Sequence, residues 1–175
     1  MHIEVEARNV DGQVTSLGSA EPFTLVVDRP AEGGGGGLGF NGGQLLYLAV
    51  AGCISNDLFR EARAAGIDLS SVRVNVSGDF VGEPTVSDDI QYEVEVVGNV
   101  PEDRLRALID QVDEIAEIPN SLRQETHVRL VGAKVGHTPS PIDSRGRSGT
   151  TMSSPPWRRV RIASRSKPGE KYRRF

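Results

Sequence analysis

The chain has 175 residues, 37% hydrophobic and 25% charged, with a formal net charge of −4. That length suffices for one domain with an apolar core, and no apolar run is long enough to span a membrane, so no membrane partner is expected. A single cysteine excludes an intrachain disulfide and fits a reducing, cytoplasmic setting, and the opening MHIEVEARNV lacks the basic and apolar regions of a secretory leader.

In chain order, the N-terminal part reads as strands. HIEVEAR alternates apolar and polar residues, Asp11–Gly12 is a hairpin-type turn, and FTLVVD is a further short strand. The glycine-rich stretch over 31–43 follows. Its five successive glycines cannot hold regular structure, and it lacks both phosphate-binding glycine frames, so a flexible lid or linker is expected. A long helix is predicted from Gly43 to Ala65, with Gly66 as its C-terminal cap. Its first half, LLYLAVAGCI, is apolar nearly all round and calls for cover from outside the monomer's own sheet, most simply from a second subunit. Its second half turns amphipathic, with Leu58, Phe59 and Ala62 inward and Arg60, Glu61 and Arg63 read as a solvated face.

SVRVNVSGDFVG and DIQYEVEVVG alternate as strands. A second helix starts after Pro101, with Glu102 and Asp103 favouring its dipole and Leu105, Leu108, Ile109, Val112, Ile115 and Ala116 along its apolar stripe. Asp110, Asp113, Glu114 and Glu117 read as its solvated side. HVRLVGAKV is expected to close the domain as a strand. The resulting fold class is α+β, one domain over residues 1–137. Beyond it, residues 138–175 carry ten basic residues against two acidic, while the rest of the chain carries ten against 22. Rich in Pro, Ser, Gly and Arg, this basic tail is expected to be disordered. Its arginines with Trp157 and Tyr172 permit nucleic-acid contact, but a solvated extension without that function is the expectation.

Cys53 poses the chemical question. A reactive cysteine must be a thiolate, and a free thiol with a pKa of ~8.5 is mostly protonated at neutral pH. Leu48, Ala49, Ala51 and Ile54 suppress ionisation further, the residue lies too deep in its helix for the N-terminal dipole, and Asp57 one turn onward has the wrong sign. Activation therefore requires a cation from another segment, with Arg8 and Arg29 as the candidates. The alternative is that Cys53 is a small residue at a close helix contact beside Gly52. His2, His127 and His137 are dispersed, so neither a metal nor a cofactor is expected.

GGQLLYLAVAGCISNDLFREARAAGIDLSSVRVNVSGDF followed by AEIPNSLR resembles the OsmC/Ohr family, the osmotically induced and organic hydroperoxide resistance proteins, over roughly Met1 to Gly136. The resemblance implies a two-layer sandwich with a long central helix on antiparallel sheet, an intertwined homodimer with its sites at the interface, and thiol-dependent reduction of organic hydroperoxides. It makes Cys53 the nucleophile; Arg8 and Arg29, read from the residues, stay the candidate activators. Phe40, Gln44, Leu45 and Leu48 are expected to contact an organic hydroperoxide or another small hydrophobic ligand. Three departures stand out: the family's second cysteine maps onto Ala116, its glutamate onto Gly43 and its arginine onto Val10. A single-cysteine cycle then needs an external thiol reductant. The other reading is a noncatalytic relative that binds a small hydrophobic ligand at the dimer interface.

Overall fold

Alternation and turn chemistry decide where the strands form. The computed structural model describes residues 1–136 of the chain, so the basic tail of 138–175 lies outside the described residues. Strands β1 (Glu6–Asn9), β2 (Ser16–Ala20) and β3 (Phe23–Val27) form an antiparallel meander in that order. Gly12 turns the first hairpin with φ 72°, in the left-handed region that glycine enters freely.

The long helix α1 spans Gly42–Ala64. Its start is set by a capping box: Gln44 N donates to Asn41 Oδ1, and Asn41 N donates to Gln44 Oε1, both at 2.9 Å. At its end Gly66 N donates to Arg63 O and Ile67 N to Ala62 O, with Gly66 at φ 67°, a Schellman-type stop.

Strands β4 (Leu69–Val81) and β5 (Val86–Gly98) pair as a long antiparallel ribbon, with Val72 opposite Val96, Val74 opposite Val94 and Val76 opposite Tyr92. Those six side chains face the core while their neighbours face outward, as period-two patterning requires. Val50, Ile54, Leu58 and Ala62, spaced four apart on α1, pack there with Ile67 and with Leu108 and Val112 of α2 (Glu102–Ile115).

The second helix is shorter than its pattern predicts. It stops at Ala116, whose ψ of 119° is extended, and a separate helix α3 runs from Glu117 to Arg123. Pro119 gives the reason. It has no N–H to donate and its ring obstructs the preceding turn, so α2 cannot continue through it. Ala116 itself is fully buried.

Two other expectations change. The glycine-rich stretch is irregular but fastened. It holds a 3-10 turn at Ala31–Gly33, and Phe40 bridges to Val27. Buried Asp28 accepts from Thr15 Oγ1 (2.9 Å) and from the amides of Arg29, Gly36 and Leu38 (2.8–3.2 Å). A Cβ at Gly35 would lie 2.0 Å from the Arg29 carbonyl oxygen, and one at Gly39 would lie 2.3 Å from that of Val26. Close backbone approach therefore requires glycine at both positions. Residues 126–136 form no strand: a strand needs a partner edge, and among the described residues none pairs with them. Val128, Leu130, Val131 and Val135 are correspondingly exposed.

The β1–β3 sheet contributes no buried apolar side chain to the core; its region buries only Thr15 and Asp28. Exposed on it or beside it are Val5, Val14, Leu17, Phe23 and Leu25.

Candidate functional site

Cys53 sits partly buried on α1 at the edge of the core. The break at Ala116 decides what meets it, because the turn into α3 brings Glu117 beside the sulfur. The thiol lies 3.7 Å from Asp57 Oδ2, one turn along its own helix, and 3.7 Å from Glu117 Oε2, so one proton faces two acceptors. Arg60 completes the group. Its Nη1 is 2.6 Å from Asp57 Oδ1 and 3.9 Å from Glu117 Oε1, while its Nε donates to Glu61 Oε1 at 2.8 Å. Glu61 is held in turn by Gln111 of α2, whose amide donates to it at 2.9 Å.

Burial pushes the Cys53 thiol pKa up, and the charges of Asp57 and Glu117 add to the effect; the amides of Ile118 and Glu117 pull against it without prevailing. Asp57 is also raised, by burial and then by Glu117, with Arg60 opposing. Glu117 moves the other way, lowered by its own backbone N–H and then by Arg60. The pair thus combines a more basic buried carboxylate with a more acidic exposed one.

The residues expected at the site are scattered within the chain. Arg8 is on β1 and pairs with Glu6 at 2.9 Å. Arg29 lines a cavity of about 650 Å³ with Asp28, Gly33, Asn41 and Gly43 at the start of α1. Ten residues of helix separate Gly43 from Cys53, about 15 Å of rise. Neither arginine is among the groups acting on the thiol, and the guanidinium of this cluster is Arg60.

Gln44 commits its amide oxygen to the helix cap. Phe40 and Leu48 are about half exposed. Leu45 lines an apolar cavity of about 370 Å³ under the small sheet, with Val5, Phe23, Leu25 and Val27.

Sequence reasoning gave Asp57 only the wrong sign and read Arg60 and Glu117 as solvated helix faces, whereas the structure gathers the three around Cys53. The first two stand four and seven residues after Cys53, which puts them on its helix face, and that spacing was the available signal. For Glu117 there was none, since it arrives through the break before Pro119. The donor atoms of Cys53, Asp57 and Glu117 lie within 4.8 Å of one another, a spacing that suits a metal ion, but Arg60 already gives both carboxylates a cation.

Position 43 also has a physical explanation. A Cβ there would come 2.8 Å from Phe80 Cε2, and the Phe80 ring is itself stacked on Tyr47 with centroids 5.8 Å apart. Aromatic packing fills the room that a side chain at 43 would need.

The sequence profile of OsmC-like proteins matches residues 34–131. The chain belongs to the OsmC-like family. Solved structures share its fold. An OsmC-like protein from Mycoplasma pneumoniae is 21% identical and aligns over 70% of this chain and 88% of its own, with a TM-score of 0.61. An organic hydroperoxide resistance protein OsmC from Legionella pneumophila is 20% identical over 70% and 90% of the two chains, with a TM-score of 0.50. Another organic hydroperoxide resistance protein, from Elizabethkingia anophelis with thiocyanate bound, is 18% identical over 70% and 89%, with a TM-score of 0.51. No curated protein matches the chain. In this OsmC-like domain the one cysteine lies on the long helix, in contact with two carboxylates. Among the described residues no helix is long and apolar enough to cross a membrane.

Proposed function

We propose that this OsmC-like protein reduces organic hydroperoxides with Cys53 as nucleophile, in a reducing cytoplasmic compartment and with an external low-molecular-weight thiol as reductant. One observation carries the reading: the cysteine on the central helix is partly accessible and has proton acceptors in contact with its sulfur. Peroxide converts the thiol to a sulfenic acid and leaves an alcohol. One external thiol then forms a mixed disulfide and releases water, and a second regenerates Cys53. With alanine at 116 instead of a second cysteine, no intramolecular thiol competes for the sulfenic acid.

The working form we propose is an intertwined homodimer. The small sheet without apolar residues of its own in the core, and the exposure of Leu48 and Phe59 on α1, support it. In that assembly Arg8 or Arg29 approaches the site from a second copy, and Phe40, Gln44, Leu45 and Leu48 contribute the substrate surface. The apolar cavity beside Leu45 favours an organic substituent over hydrogen peroxide. Titration with cumene hydroperoxide tests the reading: one free thiol should disappear per chain at micromolar peroxide, and none in Cys53→Ser. An unchanged wild-type thiol count would end it.

A second reading, a noncatalytic binder of a small hydrophobic ligand, is favoured by the upward push on the Cys53 pKa and by the pairing of Arg8 with Glu6. It predicts slow alkylation of Cys53 at neutral pH and no peroxide turnover.

A further inference from the structure

Resting on that reading, we infer that Asp57 is the proton acceptor and donor of the Cys53 reaction, with Glu117 and Arg60 as the residues that position and tune it. The geometry comes first. Asp57 Oδ2 contacts the reacting sulfur, and its other oxygen is tied to Arg60 at 2.6 Å, so the carboxylate is oriented with one oxygen free for the thiol proton. Arg60 is fixed from a second side by Glu61, which Gln111 anchors from α2. Glu117 reaches the sulfur from α3 and stands within 4.8 Å of the same Asp57 oxygen set. The charged groups facing the thiol are therefore Asp57 and Arg60 from α1 and Glu117 from α3.

A buried carboxylate beside a second one is more basic than usual, which makes it a better acceptor of the thiol proton. A thiol flanked by two acids is correspondingly held in its neutral form. The arrangement thus disfavours a standing thiolate and provides for deprotonation during attack. As the Cys53 sulfur bonds to the outer oxygen of the hydroperoxide, its proton passes to Asp57 Oδ2. The O–O bond breaks, and the departing alkoxide takes that proton to leave as the alcohol. Sulfur is oxidised to sulfenic acid, the peroxide is reduced, and Asp57 returns to its ionised state. Good acid–base placement of this kind contributes roughly 10²–10⁴-fold in rate.

The wild-type protein carries the test, since Asp57 is buried and its substitution burdens folding. Two rates are measured on Cys53 from pH 5 to 10: oxidation by cumene hydroperoxide, and alkylation by iodoacetamide, which needs the thiolate and no acid. Alkylation should rise about tenfold per pH unit until the thiol ionises. Oxidation should stay level across that range and fall once the proton shared by Cys53 and Asp57 is gone, so the ratio of the two rates drops about tenfold per unit. Profiles that rise in parallel would overturn the role of Asp57 while leaving peroxide reduction intact. Alkylation without any oxidation would instead overturn peroxide reduction, and this inference with it. Asp57→Asn adds a second arm: oxidation should fall roughly 100-fold while alkylation at pH 7 quickens. Equal or faster oxidation in that variant would refute the proton-transfer role.

Discussion

At Cys53 two opposing requirements meet in one side chain. The helix buries the sulfur enough to favour the neutral thiol, and the acids beside it reinforce that choice. Protonation of this group therefore feeds into stability. Its folded pKa lies above the unfolded value, so its contribution is fully present below about pH 8.5 and is lost as pH rises through the raised folded value. Stability measured by denaturant titration should decline over that alkaline range, and Cys53→Ser should remove the component of the decline due to the thiol. Of this neighbourhood, the cysteine was readable from its helix alone. Asp57 and Arg60 were within reach of the 3.6-residue period, whereas Glu117 was not, because its position depends on where α2 stops.

Elements on this chain start and stop for local reasons, and most of those were visible. Gly66 ends α1 and the valine alternation of β4 and β5 faces the core, both as read from the sequence, while the Asn41–Gln44 box that starts α1 emerges from the structure. The failures are also physical. Pro119 divides one apolar stripe into two helices, and residues 126–136, strand-like in composition, pair with no described strand.

Helix α3 is held through its last residue. Arg123 donates from Nη1 to the Asp113 backbone carbonyl at 2.9 Å and from Nη2 to the Asp113 carboxylate, which also accepts from Tyr92. The pair is about half exposed, so Arg123→Met should cost only about 1 kcal/mol of global stability. Its signature should be local: amide hydrogen exchange across α3 speeds up while protection in β4 and β5 stays unchanged. Arg123→Lys should rescue only part of this, because an ammonium lacks the planar fork that reaches both Asp113 oxygens.

For the molecule as a whole, the two sheets are unequal. The β4–β5 ribbon shares its core with α1 and α2, and the β1–β3 sheet contributes no buried apolar side chain to that core. Gly52 reports on the open side of α1, where an added Cβ would meet nothing within 4 Å among the described residues. In an isolated chain, Gly52→Ala should stabilise the helix by up to about 1 kcal/mol, and Gly52→Leu should leave the sedimentation coefficient unchanged. If this side of α1 is covered by the second copy in the proposed homodimer, Gly52→Leu should shift the protein from dimer toward monomer in sedimentation velocity.

The contact of Phe80 with Gly43 has a consequence for any side chain placed at the start of α1. A Cβ there would meet the far end of a half-exposed ring, so the ring turns aside and what is lost is its stack on Tyr47 rather than core packing. Gly43→Glu should therefore still fold, at a cost of about 1 kcal/mol.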